Sequence, residues 1–292
     1  MNELESAFLS SDDVIMVSAE AFDSRDPFDI LDSNISVIND LFKEHLTPEE
    51  ISRSAIMSYY VDFYVAQVNN GGFLQFGINS NWSAEIVDIV RQGLRDMGAV
   101  RHLALFDEGV DAVGKFGTKA CSSAYSGRNK PVKDHFWTID SRFYALNEVE
   151  DLFLINAAWL RRQPNLRVLS VDELQQEVRR RSVALSNRSE RVKSALDAEP
   201  SYMKLIRVLC QKSRQIFEQF TVGERTIFYD GTTARELAPE ELHRRDNAEL
   251  QMSWFFITNK GLHFMIETEG KATMFQFETM RKIAEIDISK EE

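Results

Sequence analysis

Asp23, Asp26, Asp29 and Asp32 recur at every third residue, with Asp12, Asp13 and Glu20 ahead of them and Asp40 and Glu44 behind. Glu49 and Glu50 follow closely. Carboxylates at this density create a negative field that attracts and orients a basic partner. In an extended or turn-like stretch the four aspartates form a line with steps of about 9–10 Å. Pro27 argues against a continuous helix through them. The nine acids from Asp12 to Glu44 are therefore the candidate protein-binding residues. The plainer reading of the same residues is a solvated, solubilising arm.

A second group sits where an aromatic run meets two amides and two glycines: Gln67-Val68-Asn69-Asn70-Gly71-Gly72-Phe73-Leu74-Gln75-Phe76. Gly71 or Gly72 suits a left-handed backbone that closes a helix. Asn69 and Asn70 each donate and accept, so they can line a pocket or satisfy the backbone where the helix ends. Asp62 lies among aromatic residues and is expected to be buried and paired with a basic side chain. With Gln67, Phe73 and Asp140, these residues are the candidate structural motif or pocket.

Conventional catalytic patterns do not appear. His45, His102, His135, His243 and His263 form no His-Glu-x-x-His or other close ligand pair. Gly109, Gly114 and Gly117 do not make a phosphate loop. Asp134-His135, with Trp137 and Asp140, is the best local cluster, and its position at an expected helix start favours capping. Cys121, with Lys119 nearby to lower its pKa, reads as a surface thiol, and Cys210 as core packing. No catalytic residue, metal or cofactor is expected, and whether the chain is an enzyme stays open.

The elements that must position these groups are mostly helical. Ile35, Ile38, Leu41 and Phe42 form one stripe over residues 32–46. Thr47-Pro48-Glu49-Glu50 is a capping box that opens a helix running to Val68 with Tyr59, Tyr60, Phe63 and Tyr64. Helices are expected over residues 82–97 and 100–113, then a long loop over 114–131. One long helical segment from about 134 ends at Pro164. Ser170 with Glu173 opens another helix, which carries Arg179-Arg180-Arg181 and few apolar residues, so it reads as exposed. A helix over 202–220, a strand and turn at Thr226–Gly231, and three short strands joined by tight turns complete the chain. Trp254 and Phe256 fall on one face of that meander and Phe255 on the other.

The fold class that follows is mainly α, a helical N-terminal domain with a small C-terminal α+β domain built on an antiparallel meander. The segments are an acidic stretch at 1–30, a helical domain at 31–165, a basic helical connector at 166–199 and the α+β domain at 200–292. The net charge of -12 is concentrated: residues 1–50 hold 13 acidic and 2 basic side chains. That balance opposes direct nucleic-acid binding. No apolar run is long enough for a spanning helix. The acidic start Met1-Asn2-Glu3-Leu4-Glu5 is unlike a secretory signal. With two cysteines 89 residues apart, a cytoplasmic protein without membrane contact is expected.

Tyr60-x-Asp62 through Phe76, Gly93-Leu94-Arg95-Asp96-Met97-Gly98-Ala99 and Asp140-Ser141-Arg142-Phe143-Tyr144 together resemble the DMP19-like family of bacterial proteins, over about residues 50–162. The resemblance implies an all-helical domain and allows for a homodimer. It also implies a partner class, because a member of that family is an acidic DNA mimic that occupies the DNA-binding surface of a repressor. The expected function is non-enzymatic protein binding, with a basic, DNA-binding protein as partner. The alternative is a small-molecule-binding or hydrolytic pocket near the Asn-Asn-Gly-Gly turn.

Overall fold

The computed structural model describes residues 13–221, 227–237, 253–268 and 270–288. Two compact units divide the chain, Met1–Arg188 and Ser189–Glu292. Asp12 and His243 lie outside the described residues.

The first unit opens with strand β1 (Ile15–Ser18) and the short helix α1 (Ala19–Asp23). Helix α2 (Pro27–Lys43) and a 3-10 turn (Pro48–Glu50) lead to the long α3 (Arg53–Asn79). Then come α4 (Ala84–Asp96), α5 (Val100–Phe116), α6 (Thr118–Tyr125), α7 (Lys130–Asn147), α8 (Leu152–Arg161), β2 (Leu166–Leu169) and α9 (Val171–Ala184). Helix α3 is the centre, packed against α2, α4, α7 and α8. Its Tyr64 is fully buried and meets Phe73, Phe76, Phe106 and Phe143 edge-on, with ring centroids 5.0–6.2 Å apart. Such T-shaped contacts add to plain area burial.

Several sequence expectations are corrected here. Helix α2 starts at Pro27, not at Asp32. Asp26 is its N-cap, accepting the Phe28 N–H at 2.9 Å, and Pro27 occupies the first turn, where no N–H is needed. The aspartates therefore do not run along an extended strand. The capping box at Thr47 and Glu50 is present but opens only the 3-10 turn, and α3 begins after Ser52. The expected loop at 114–131 contains α6, whose small residues Cys121 and Ala124 pack inward. Cys121 is thus buried, and burial raises its pKa, the reverse of the surface-thiol reading. The long helix after 134 is two helices, because Asp151 caps α8 through the Phe153 N–H at 2.8 Å. Helix α7 starts four residues before Asp134, which pairs with Lys130 at 2.7 Å instead of capping. The apolar run at Val14–Val17 becomes β1, paired in parallel with β2 from Ile15 opposite Leu166 to Ser18 opposite Leu169.

The second unit holds α10 (Arg188–Ala198, which begins on the last residue of the first unit), α11 (Ser201–Ser213), β3 (Phe217–Phe220), β4 (Ile227–Tyr229) and β5 (Ala234–Glu236). It ends with β6 (Ser253–Thr258), β7 (Gly261–Thr268), β8 (Lys271–Gln276) and β9 (Lys282–Asp287). The expected helix at 202–220 stops at Ser213, where Arg214 takes a left-handed φ of 56°, and its remainder becomes β3. Strands β3, β6, β7, β8 and β9 form one antiparallel sheet in that order. Helix α11 covers the face that carries Phe256, Met265 and Met274. Phe255, Phe264 and Phe275 on the other face pack with Ile227 and Ala234 of the β4–β5 hairpin. Both aromatic faces are core of this unit, and the fold class is mainly α with an antiparallel meander at the C-terminal end.

Candidate functional site

The two glycines interrupt α3. Gly72 has φ 80° and ψ 179°, a conformation that is essentially reserved for glycine. A Cβ at this position would lie 2.2 Å from Asp140 Oδ2. Helix α7 closes both sides of the break with residues one turn apart. The Phe73 N–H, at the start of the second helical stretch, donates to Asp140 Oδ1 at 2.8 Å. The Tyr144 hydroxyl donates to the Val68 carbonyl, at the end of the first stretch, at 2.8 Å. Gln67 Oε1 accepts from Gln75 Nε2 at 3.0 Å and from Asn79, bridging the break on another side. Burial, partly offset by the Phe73 hydrogen bond, pushes Asp140 up to about 6.

The structure thus brings Gln67, Gly71, Gly72, Phe73 and Asp140 together. Asp140 and Tyr144 serve backbone groups that the helix break leaves unpaired, while Gln67 ties side chains across it. Asn69 and Asn70 are exposed, and neither amide has a hydrogen-bond partner among the described residues. Asp62 is elsewhere. Its Oδ1 is buried without a partner, and burial together with the Asp32 carboxylate raises its pKa to about 6. The basic partner expected for Asp62 is not found among the described residues; the charged group it feels is another acid.

The acidic candidates divide by what the fold does with them. Glu20, Asp29, Asp32 and Asp40 line one groove of about 410 Å³ between the α1–α2 segment and α9. On α2, Asp29, Asp32, Ser36 and Asp40 occupy one helical stripe. At 1.5 Å per residue the stripe from Asp29 to Asp40 is about 17 Å long, and Asp29 and Asp32 are about 5 Å apart along the axis. Val37 of α2 and Val171, Leu174 and Val178 of α9 supply apolar surface between the acids. The edge is held in place locally. Ser18 caps α1 through the Ala21 N–H at 3.1 Å, and its own N–H donates to Ser33 Oγ at 2.8 Å. Arg161 donates to the carbonyls of Phe22 and Ser24.

Other acids are engaged or face away. Asp26 caps α2. Asp40 pairs with Lys43 at 2.8 Å at the end of the stripe. Glu44 accepts from Ser182 and from Arg188 at 2.9 Å, and these bonds hold its pKa below the ordinary value. Asp13 receives the Asn165 amide and lines a different cavity. Asp23 ends α1 and is exposed. No ion pair reaches Glu20, Asp29 or Asp32 among the described residues.

The contribution of α9 escaped the sequence reading. Val171, Leu174 and Val178 are its signal, a stripe at three- and four-residue spacing within a helix otherwise dominated by charge. The basic run on the same helix is largely paired. Arg180 donates to Glu177 at 2.8 Å, and Arg180 and then Arg181 hold Glu177 down at about 2.

Among the described residues no group of three or more His, Cys, Asp or Glu could hold a metal. His102 is engaged with the Glu150 carbonyl at 2.7 Å and His263 with the Gly261 carbonyl at 2.8 Å. His135 packs edge-on against Phe116. No described helix is long and apolar enough to cross a membrane.

Residues 49–163 match the family model described as DMP19-like protein. The match covers the 3-10 turn through α8, including the whole glycine break and its closure by α7, and leaves out α1, α2 and α9. No curated protein and no solved structure matches the chain.

Proposed function

We propose that this chain is a non-enzymatic binding protein whose acidic groove receives a basic segment of another protein. The observation that carries the reading is the convergence of Glu20, Asp29, Asp32 and Asp40 along one groove with apolar surface between them. An amphipathic helix or loop bearing Lys or Arg suits that surface: its apolar side meets Val171 and Val178, and its cations meet the stripe. Charge complementarity of this kind accelerates encounter and fixes orientation. The family likeness supports a DNA-binding protein as partner, with the carboxylates standing where phosphates would. The groove lies outside the matched residues, so the likeness suggests only the class of partner, and the groove's own charge and apolar surface carry the rest of the proposal.

The pocket alternative at the Asn-Asn-Gly-Gly turn has less support, because Asp140, Tyr144 and Gln67 already hydrogen-bond across the break. Capture from native cell extract by the wild type and by the triple variant Asp29→Asn, Asp32→Asn, Asp40→Asn tests the proposal. A basic protein retained by the wild type, released by duplex DNA and lost in the variant is expected. The same proteins on both baits, undisturbed by DNA, would overturn it. Point variants are needed, because deleting residues 1–50 would remove the buried Ile30, Leu31, Ile38 and Leu41 from the core.

A further inference from the structure

The acidic groove also restricts the shape of what can fill it. Its long walls are α2 and α9, helices whose backbone groups bond within themselves. Ser18, the strand residue among the described lining, already gives its N–H to Ser33 Oγ at 2.8 Å. The groove therefore offers no strand edge. An extended segment laid in it would turn alternate backbone N–H and C=O groups inward. The charged lining is Glu20, Asp29, Asp32 and Asp40, and carboxylates accept but do not donate. The inward carbonyls would meet few donors, the hydroxyls of Ser33 and Ser36 and the Gln175 amide. Backbone groups left unmade in this way weaken a complex. A helix arrives with its backbone already bonded.

The lining also repeats at helical intervals. Asp29 and Asp32 are about 5 Å apart along α2, and Asp40 lies about 12 Å beyond Asp32. Across the groove Val171, 56% exposed, and Val178 are two turns apart on α9, about 10 Å. Side chains on one face of a strand recur at about 7 and 14 Å, which fits these intervals less well. Helical positions i, i+3 and i+11 match the acids, and i and i+7 match the valines. A helix with its side chains is about 10–12 Å across, so a groove of about 410 Å³ admits one face of it. Asp40 shares its charge with Lys43, so Asp29 and Asp32 form the stronger end. We infer that the occupant is a three-turn amphipathic α-helix with Lys or Arg at i, i+3 and i+11 and apolar residues two turns apart on the adjoining face, in preference to an extended basic tail. This rests on the groove being the site of a basic partner and adds that partner's conformation.

Fluorescence anisotropy of labelled peptides with the full chain at low salt tests it. The first probe is an Ala-rich peptide of about 16 residues carrying that pattern. The second adds a side-chain lactam bridge on its solvent face, and the third has the same charges with central prolines that forbid the helix. The bridged peptide should bind most tightly, the linear one next, and the proline peptide at least about ten-fold more weakly than the linear one. Val171→Gln, at an exposed position, should weaken the linear peptide about three-fold or more and leave the proline peptide unchanged. If the proline peptide binds as tightly as the linear one, and the Asp29→Asn, Asp32→Asn, Asp40→Asn variant loses both, the helical occupant is overturned while the acidic groove stands. If the helical peptides bind that folded variant as they bind the wild type, the groove reading falls as well. No saturable binding of the bridged peptide overturns the inference alone, and capture from extract then decides the reading.

Discussion

Gly72 and Asp140 form one unit at the residue scale. The glycine takes a conformation other residues avoid, and the carboxylate fills the space a Cβ would need. Gly72→Ala should destabilise the first unit by about 3 kcal/mol or more, read as a shift in urea midpoint. Asp140→Ala alone should cost about 1 kcal/mol, as loss of a cap does. The double variant should cost less than the sum, because the clash with the carboxylate is gone. Asp62 makes a different case. Its folded pKa of about 6 lies above the ordinary carboxyl value of 3.8, so the folded state holds the proton more tightly. Its contribution is therefore neutral below about pH 3.8, and stability falls as pH rises from there through about 6. Asp62→Asn should accordingly raise stability by about 1–2 kcal/mol at pH 7.5, with no gain near pH 3.5. Equal gains at both pH values in chemical denaturation would show that charge burial is not the cause. That Asp62 sits in an aromatic helix is plain from its neighbours. That the charge beside it is Asp32 depends on how α2 packs, which no local pattern records.

At the scale of elements, α2 decides what the acidic stretch can do. Asp26 serves the helix N-terminus and is not part of the groove. Asp26→Ala should lower stability by about 1 kcal/mol in a thermal melt while leaving partner capture unchanged. A selective loss of capture with no change in melting would place Asp26 in the interface instead. The sequence already marked the central aromatic helix, the Gly-Gly break, the Ser170 cap and the tight turns of the meander, because each rests on residues close together in the chain. As Pro27 implies, no continuous helix runs through Asp23 to Asp32, but that Pro27 also starts α2 rests on the cap at Asp26, the residue before it. The β1–β2 pair joins the two ends of the first unit, and parallel pairing leaves no turn to recognise. Helix α6 is too short and too rich in Ser and Gly neighbours to stand out. Of the two walls of the groove, the sequence shows the acids of α2 as charge, while the sparse apolar stripe of α9 is lost among its charged neighbours.

For the whole molecule, charge is the property that connects sequence to function. Thirteen acids and two bases in residues 1–50 read as a continuous anionic leader. Among the described residues the fold puts these acids to different uses, among them a cap, ion pairs with Lys43 and Arg188, and a stripe beside α9. Such an open field acts over about 8–10 Å at moderate salt, so association with a basic partner should slow as salt rises. Exposed pairs contribute about 0.2–1 kcal/mol each, and three removed together amount to roughly a ten-fold loss of affinity. The most direct measurement is the affinity of the captured basic partner for the wild type and for the Asp29→Asn, Asp32→Asn, Asp40→Asn variant, at low and high salt. The account predicts an approximately ten-fold weaker complex for the folded variant at low salt and a difference that shrinks as salt rises. Equal affinities at low salt would contradict it.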